Sequence, residues 1–160
     1  MFENIGKNLI FKPQSQKDDE FLLSLYASTR EDELNMTFMD KEQKKVFIKQ
    51  QFEAKTKDYS SKYKDATFLI IYRKKKPIGR LIYKVSQVVH LIDIALVKKS
   101  RSLGFGKEIL NHFIFYSRTH NKHFELNVAV DNIKALKLYQ DLGLRVIRRN
   151  SYHYTMQTLL

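Results

Sequence analysis

From Val88 to Val97 the chain reads VVHLIDIALV, almost continuously apolar and rich in β-branched residues. Such a run is a strand buried on both faces. It leads into Arg101-Ser102-Leu103-Gly104-Phe105-Gly106, after which Ile109, Leu110, Phe113 and Ile114 recur at helical spacing. The signature is strand, glycine-containing turn, helix. Two glycines three and five positions after an arginine let the backbone turn tightly, and successive N–H groups then converge at a helix N-terminus, a point suited to an anion. The plainer reading is a tight turn in which Gly104 and Gly106 only satisfy geometry.

Neighbouring glycine motifs do not fit. In a phosphate-binding GxxxxGK[ST] loop the glycines stand five apart, whereas Gly104 is two from Gly106 and Glu108 follows Lys107. GxGxxG fails at Ile109. An RNA-recognition strand shares Gly-Phe-Gly but wants a basic residue at Leu103 and an aromatic-rich strand afterwards, where this chain has a helical pattern.

At 160 residues the chain is expected to form one domain, 1–160, with a core of its own. It contains no cysteine, which excludes disulfides, thiolate metal sites and a cysteine nucleophile. The opening MFENIGKNLIFK lacks a basic region followed by a long apolar run, and no stretch approaches a membrane span. The expected location is the cytoplasm, with no membrane partner. Charge is unevenly placed: residues 1–60 carry 10 Lys/Arg against 11 Asp/Glu, and residues 61–160 carry 19 against 6. The basic C-terminal part calls for an anion, whether nucleic acid, an acidic surface or a polyphosphate cofactor. Arg73-Lys74-Lys75-Lys76, followed by Pro77, reads as a solvated hairpin tip.

In chain order, Leu9-Ile10-Phe11 is a short strand closed at Pro13, and Ser15 with Asp18 resembles a capping box for a helix bearing Phe21, Leu22, Leu25 and Tyr26. Arg30 to Asp40 reads as a polar link containing Glu31, Asp32 and Glu33, and a longer helix follows with Ile48, Phe52, Tyr59 and Tyr63 on one face. Residues 66–73 and 78–85 read as an antiparallel pair, and 124–130 as a strand parallel to 88–97 across a helical crossover. Asp131 or Asn132 caps a short helix with Ala135, Leu138, Tyr139 and Leu142 on its buried face, stopped at Gly143. Residues 144–149 and 152–160 form a last strand pair around Asn150-Ser151.

That order, with RxxGxG after the fourth strand and N-x-x-A-x-x-L-Y-x-x-x-G from Asn132 to Gly143, resembles the GNAT superfamily of acetyl-CoA-dependent N-acetyltransferases. The resemblance covers roughly residues 9–157. Tyr26-Ala27-Ser28-Thr29-Arg30 and Gln51-Phe52-Glu53-Ala54 are similar to a subgroup of small bacterial members. The fold class it implies is α/β (α+β): a three-layer arrangement about a mixed, mostly antiparallel sheet of about seven strands, with one parallel strand-helix-strand unit. The activity it implies is acetyl transfer to a primary amine, on a small molecule or peptide. With no cysteine to carry the acetyl group, transfer is direct, in a ternary complex.

Carried over residue by residue, the resemblance assigns the backbone amides of Arg101, Ser102, Leu103, Gly104, Phe105 and Gly106 to the pyrophosphate of coenzyme A, with Lys98, Lys99 and Lys107 adding charge. Ala95, Leu96 and Val97 pair with the pantetheine arm, and Leu96 N–H donates to the acetyl carbonyl. Asn132 contacts the cofactor where the two parallel strands splay. Tyr139 protonates the departing thiolate: a phenol of pKa about 10 is protonated at neutral pH and can donate to a thiolate of parent pKa about 8.5. Simple core packing is the other reading of Tyr139. Asp93 is the candidate base, since a carboxylate in an apolar run is costly unless paired or working. A salt bridge to Arg80 or Lys84 is its alternative, and a water chain can replace any side-chain base.

Ser102 stands where family members often have glycine, Lys98-Lys99 replaces a common Pro-acidic pair, and Leu144 stands where phenylalanine is frequent. His120 and His123 lack the company of a metal site, so no metal is expected. Glu31, Asp32 and Glu33 border the acceptor side in this fold and are read either as a solvated loop or as an attraction for a cationic amine. A homodimer through the C-terminal strands is expected by analogy. Two rival functions remain: a coenzyme A-binding protein without catalysis, and a basic nucleic-acid-binding module, the latter disfavoured because no motif gathers aromatics for base stacking.

Overall fold

The computed structural model describes residues 4–6 and 8–159. Its strands are β1 (Asn4–Ile5), β2 (Leu9–Pro13), β3 (Thr67–Arg73), β4 (Lys76–Val85), β5 (Val88–Leu96), β6 (His123–Ala129), β7 (Leu144–Arg149) and β8 (His153–Thr158). The α-helices are α1 (Asp19–Asn35), α2 (Lys41–Lys62), α3 (Phe105–Thr119) and α4 (Ile133–Asp141). All the strands join one sheet in the order β1-β2-β3-β4-β5-β6-β8-β7. Among the described residues only β5 and β6 run parallel, and α3 carries the chain between them. The fold class is the mixed α/β sheet expected from the sequence. It has eight strands rather than about seven because Asn4–Ile5, too short to give a periodic signal, pairs with Leu9 and Ile10.

Two layers cover the sheet. Ile109, Leu110, Phe113 and Ile114 turn one face of α3 onto it, where Phe113 stacks on Phe124 at 5.2 Å between ring centroids and meets Tyr83 edge-on at 5.3 Å. Burying side chains of this size is worth about 1.5–3 kcal/mol each. The opposite face carries α1, which packs on β4 and β5, with α2 outside it. A second cluster of Tyr26, Leu34 and Ile48 holds those two helices together. The link between them is shorter than the sequence implies. α1 continues to Asn35, so Glu31, Asp32 and Glu33 lie on its last turns and not in a loop. Asp40 then caps α2, its side chain accepting from Gln43 N–H.

A bulge decides which side chains of β5 face which layer. Ile82 pairs with Asp93 but Tyr83 pairs with Leu91, leaving Ile92 as an extra residue. Before the bulge Val89 and Leu91 point into the α3 core; after it Ile94 and Leu96 do. Asp93 and Ala95 are thereby turned toward α1 and α2. A second irregularity in β4, between its pairings at Pro77 and Gly79, accommodates a proline that a regular ladder would reject.

The basic hairpin tip is confirmed. Arg73 pairs with Lys76, and the two turn residues Lys74 and Lys75 have φ of +49° and +65°, the left-handed pair that a type I′ turn requires and that lysine adopts poorly. Replacing them by Asn-Gly (Lys74→Asn with Lys75→Gly) is expected to stabilise the fold by about 1 kcal/mol, raising Tm by about 2–4 °C. A thermal melt that stays in place would show that the tip carries no strain.

Candidate active site

The parallel pairing of β5 with β6 runs from Val88–His123 to Leu91–Leu126 and stops, although β5 continues to Leu96. Past that point β6 leaves β5, and a cleft of about 510 Å³ opens between β5, α3 and α4. The ladder on the other side of β5 fixes which backbone groups face it. Val97 N–H donates to Ile78 O at 2.8 Å, so Gly79 and Leu96 form a non-hydrogen-bonded antiparallel pair, and the N–H and C=O of Leu96 point away from β4. They point into the cleft. By the same alternation Ile94 does so too, while Ala95 faces β4 with its backbone.

Of Ala95, Leu96 and Val97, expected to offer backbone to a ligand, only Leu96 is so placed. The Val97 N–H is spent on Ile78, and its carbonyl accepts from Ser100 N–H at 2.8 Å. Ile94 is the residue missed, although it stands two before Leu96 in the same unbroken register, so that simple alternation turns its backbone the same way. Gly79 permits the approach of Leu96: a Cβ there would stand 2.4 Å from Ala95 O and 2.8 Å from Leu96 Cδ2. The Leu96 carbonyl already has a donor, Arg101 Nε at 2.8 Å, whose Nη2 also reaches Ser28 Oγ at 3.2 Å.

The glycine turn opens α3 as expected. Gly104 is its N-cap in the left-handed region at φ +89°, and Ser102 adopts φ +60°, the conformation for which glycine is usual. Arg101 N–H is committed to Lys98 O at 3.2 Å, which removes it from the expected set of free amides. The first intrahelical bond of α3 runs from Glu108 N–H to Gly104 O, so the N–H groups of Phe105, Gly106 and Lys107 have no intrahelical acceptor and concentrate the positive end of the helix dipole. Phe105 is buried in the core and anchors the turn, with Leu103 outside. Gly106 lines the cleft, and a Cβ added there meets no atom within 4 Å.

Cations surround this turn. Lys107 is exposed, Lys98 is held by Glu31 at 3.2 Å, and Lys134, which the sequence reading passed over, donates to Ser102 Oγ at 3.3 Å from the first turn of α4. Its signal was its place two residues after Asn132. Asn132 caps α4, its Oδ1 accepting from Ala135 N–H at 3.2 Å, and lines the cleft with Lys134, Leu138 and Tyr139. Tyr139 is half-buried. Burial, and secondarily the charge of Asp93, hold its phenol above the ordinary tyrosine pKa, so the hydroxyl stays protonated at neutral pH.

On the other face of β5, Asp93 meets Arg80: Nε and Nη2 both donate to Oδ2, at 3.0 and 2.7 Å. Of the two partners open in the sequence it takes Arg80, because Lys84 goes to Asp65. Lys55 of α2 and Tyr26 of α1 border the same space. Two of the acids of α1 are paired, Glu33 with Arg30 of the same helix at 2.6 Å and Glu31 with Lys98. His120 and His123 each use Nδ1 on a carbonyl, that of Tyr116 and that of Thr158. Among the described residues no three His, Asp or Glu side chains gather as a metal site, and no helix is long and apolar enough to cross a membrane.

A mixed sheet that parts between two parallel strands, with a glycine-opened helix at the mouth of the gap, defines an acetyltransferase-like class of α/β protein. The model of the acetyltransferase (GNAT) family matches residues 24–144, most of the chain, and the chain belongs to that family. No curated protein matches the sequence. Among solved structures, the PaiA N-acetyltransferase from Thermoplasma acidophilum in complex with coenzyme A is 16% identical, with a TM-score of 0.68 over 96% of this chain and 99% of that one. An acetyltransferase from Thermus thermophilus is 18% identical, with a TM-score of 0.65 over 95% and 97%. A GNAT family acetyltransferase from Elizabethkingia anophelis with acetyl-CoA bound is 14% identical, with a TM-score of 0.61 over 97% and 100%.

The Arg80–Asp93 pair is shielded, with side-chain exposures of 11% and 18%, so removing either partner strands a charge against the sheet. Arg80→Met and Asp93→Asn are each expected to cost about 2–3 kcal/mol in urea unfolding. The double variant should lose less than the sum by at least about 1 kcal/mol. Strict additivity would show that the pair contributes nothing jointly.

Proposed function

We propose that residues 1–160 form one acetyltransferase domain that transfers an acetyl group from acetyl-CoA to a primary amine by direct attack in a ternary complex. The observation that carries this reading is the orientation of Leu96, whose backbone turns away from β4 where β6 has already diverged, opposite Tyr139 and Gly106. Two features of the cleft fit such a cofactor. The space over Gly106 is one that a Cβ would begin to fill, and the helix opening beside it offers amides where a pyrophosphate needs donors.

When bound, acetyl-CoA supplies its acyl group as a thioester; a nitrogen–carbon bond forms as the carbon–sulfur bond breaks, one proton leaves the amine and one reaches the sulfur. In this reading the amides of Ser102 to Lys107 hold the pyrophosphate, with Lys107 and Lys134 adding charge. Ile94 and Leu96 present backbone to the pantetheine arm, and Leu96 N–H faces the acyl oxygen, where negative charge grows during attack. Asn132 shapes the cleft wall through its cap of α4. Tyr139 O–H gives its proton to the departing sulfur. Asp93 offers Oδ1, which carries no hydrogen bond among the described residues, to the amine or to a water that takes its proton onward.

Calorimetric titration with acetyl-CoA, followed by an amine screen, tests the reading. Gly106→Val should abolish binding without unfolding the protein, since a Cβ at this position has no atom within 4 Å. Tyr139→Phe should bind acetyl-CoA as the parent does and lower kcat by about 100-fold or more. An unchanged kcat would remove Tyr139 from the chemistry, and no binding by the parent protein would remove the function.

A further inference from the structure

A second space of about 180 Å³ lies on the α1/α2 side of β5, room for about six waters at ~30 Å³ each. Thr29, Ile94 and Ala95 line both it and the cleft. The two spaces therefore adjoin along the same stretch of β5.

Its charges do not balance. Arg80 and Asp93 answer one another, and Lys55 is left over. The Lys55 Nζ lies 5.4 Å from the ring centre of Tyr26 and 5.3 Å from that of Tyr59, and it makes no hydrogen bond or ion pair among the described residues. Ring faces attract an ammonium but leave its three N–H donors without oxygen acceptors. Burial lowers the pKa of Lys55, an effect that Asp93 opposes and Arg80 and Arg30 reinforce. Such an ammonium is short of an anion. Arg80 also has a donor to spare: Nε and Nη2 share Asp93 Oδ2, while Nη1 has no partner among the described residues. Asp93, Lys55 and Arg80 all line the space, which thus carries one carboxylate and two cationic side chains.

Resting on the acetyltransferase reading, we infer that the acceptor is a small zwitterionic amine of the amino-acid class, whose amine meets Asp93 beside Ala95 and whose carboxylate is taken by Lys55 with Arg80. A purely cationic acceptor such as a polyamine would set positive charge against Lys55 and Arg80 where little water screens it. Of the acids that sequence alone suggested for attracting such a cation, Glu31 and Glu33 are tied to Lys98 and Arg30.

The test is calorimetry on the protein saturated with coenzyme A, titrated with small α-amino acids, with the amide of each, and with putrescine and spermidine. Amino acids are expected to bind about 10- to 100-fold more tightly than their amides. Lys55→Gln should erase that difference and Lys55→Arg keep most of it, with coenzyme A affinity the same in both. Amides or polyamines binding as tightly as the amino acids, or no amino acid binding to the coenzyme A-loaded protein, would overturn the inference alone. Failure of coenzyme A itself to bind would overturn the acetyltransferase reading and this inference with it.

Discussion

The site depends on hydrogen bonds that the sheet does not make. A strand inside a sheet spends its backbone on both neighbours, and β5 stops doing so after Leu91, where β6 leaves it. The polar groups of Ile94 and Leu96 are then exposed at the edge of a cleft in the middle of the protein. Buried backbone groups need partners. At the gap the Leu96 carbonyl is answered by Arg101, and α3 and α4, packed on the same face, supply its walls from Leu110, Ala135 and Tyr139.

The bulge at Ile92 gives β5 two chemistries. By keeping Leu91 and then Ile94 on the α3 side it maintains an apolar floor for the cleft, and by the same shift it sends Asp93 to the other face, against Arg80. Without the extra residue, Asp93 would alternate into the core beside Leu91, where nothing cationic waits. A carboxylate there would be far more costly than one under α1 and α2, where Arg80, Lys55 and Tyr26 line a polar space. The acid on one side and the phenol of Tyr139 on the other are separated by the strand itself, yet the charge of Asp93 still acts on the phenol.

Much of this was legible in the sequence. The buried run from Val88, the glycine turn and the Asn132–Gly143 motif each fix a local geometry that the structure keeps, because each rests on neighbours within a few residues. What was hidden is non-local. A run apolar on both faces conceals a bulge, so simple alternation could not show that Leu91 and Ile94 share a face. The acids of α1 read as a loop although Glu33 pairs with Arg30 within the helix; the partner of Glu31, Lys98, lies far along the chain. Lys55 was equally hidden, being one of several lysines on a helix with little apolar pattern, and only the packing of α2 over Tyr26 marks it out.

Arg101 shows why a motif residue need not do what its charge suggests. Its guanidinium turns back to the Leu96 carbonyl and to Ser28 of α1. One of the two Leu96 backbone groups freed by the parting of the strands is thereby satisfied from within, and the other, its N–H, is left facing the cleft. A lysine could not serve in the same way, because a single ammonium lacks the rigid fork that lets Nε and Nη2 address acceptors on a strand and on a helix together. The arginine is thus a structural tie between β5 and α1, and the positive field at the turn comes from the open end of α3 with Lys107 and Lys134. Ser102, strained at φ +60°, is bound into the same arrangement through the bond it accepts from Lys134. A side chain in that conformation costs about 1–2 kcal/mol, and the tie to α4 offsets part of that by fixing the turn against the cleft wall.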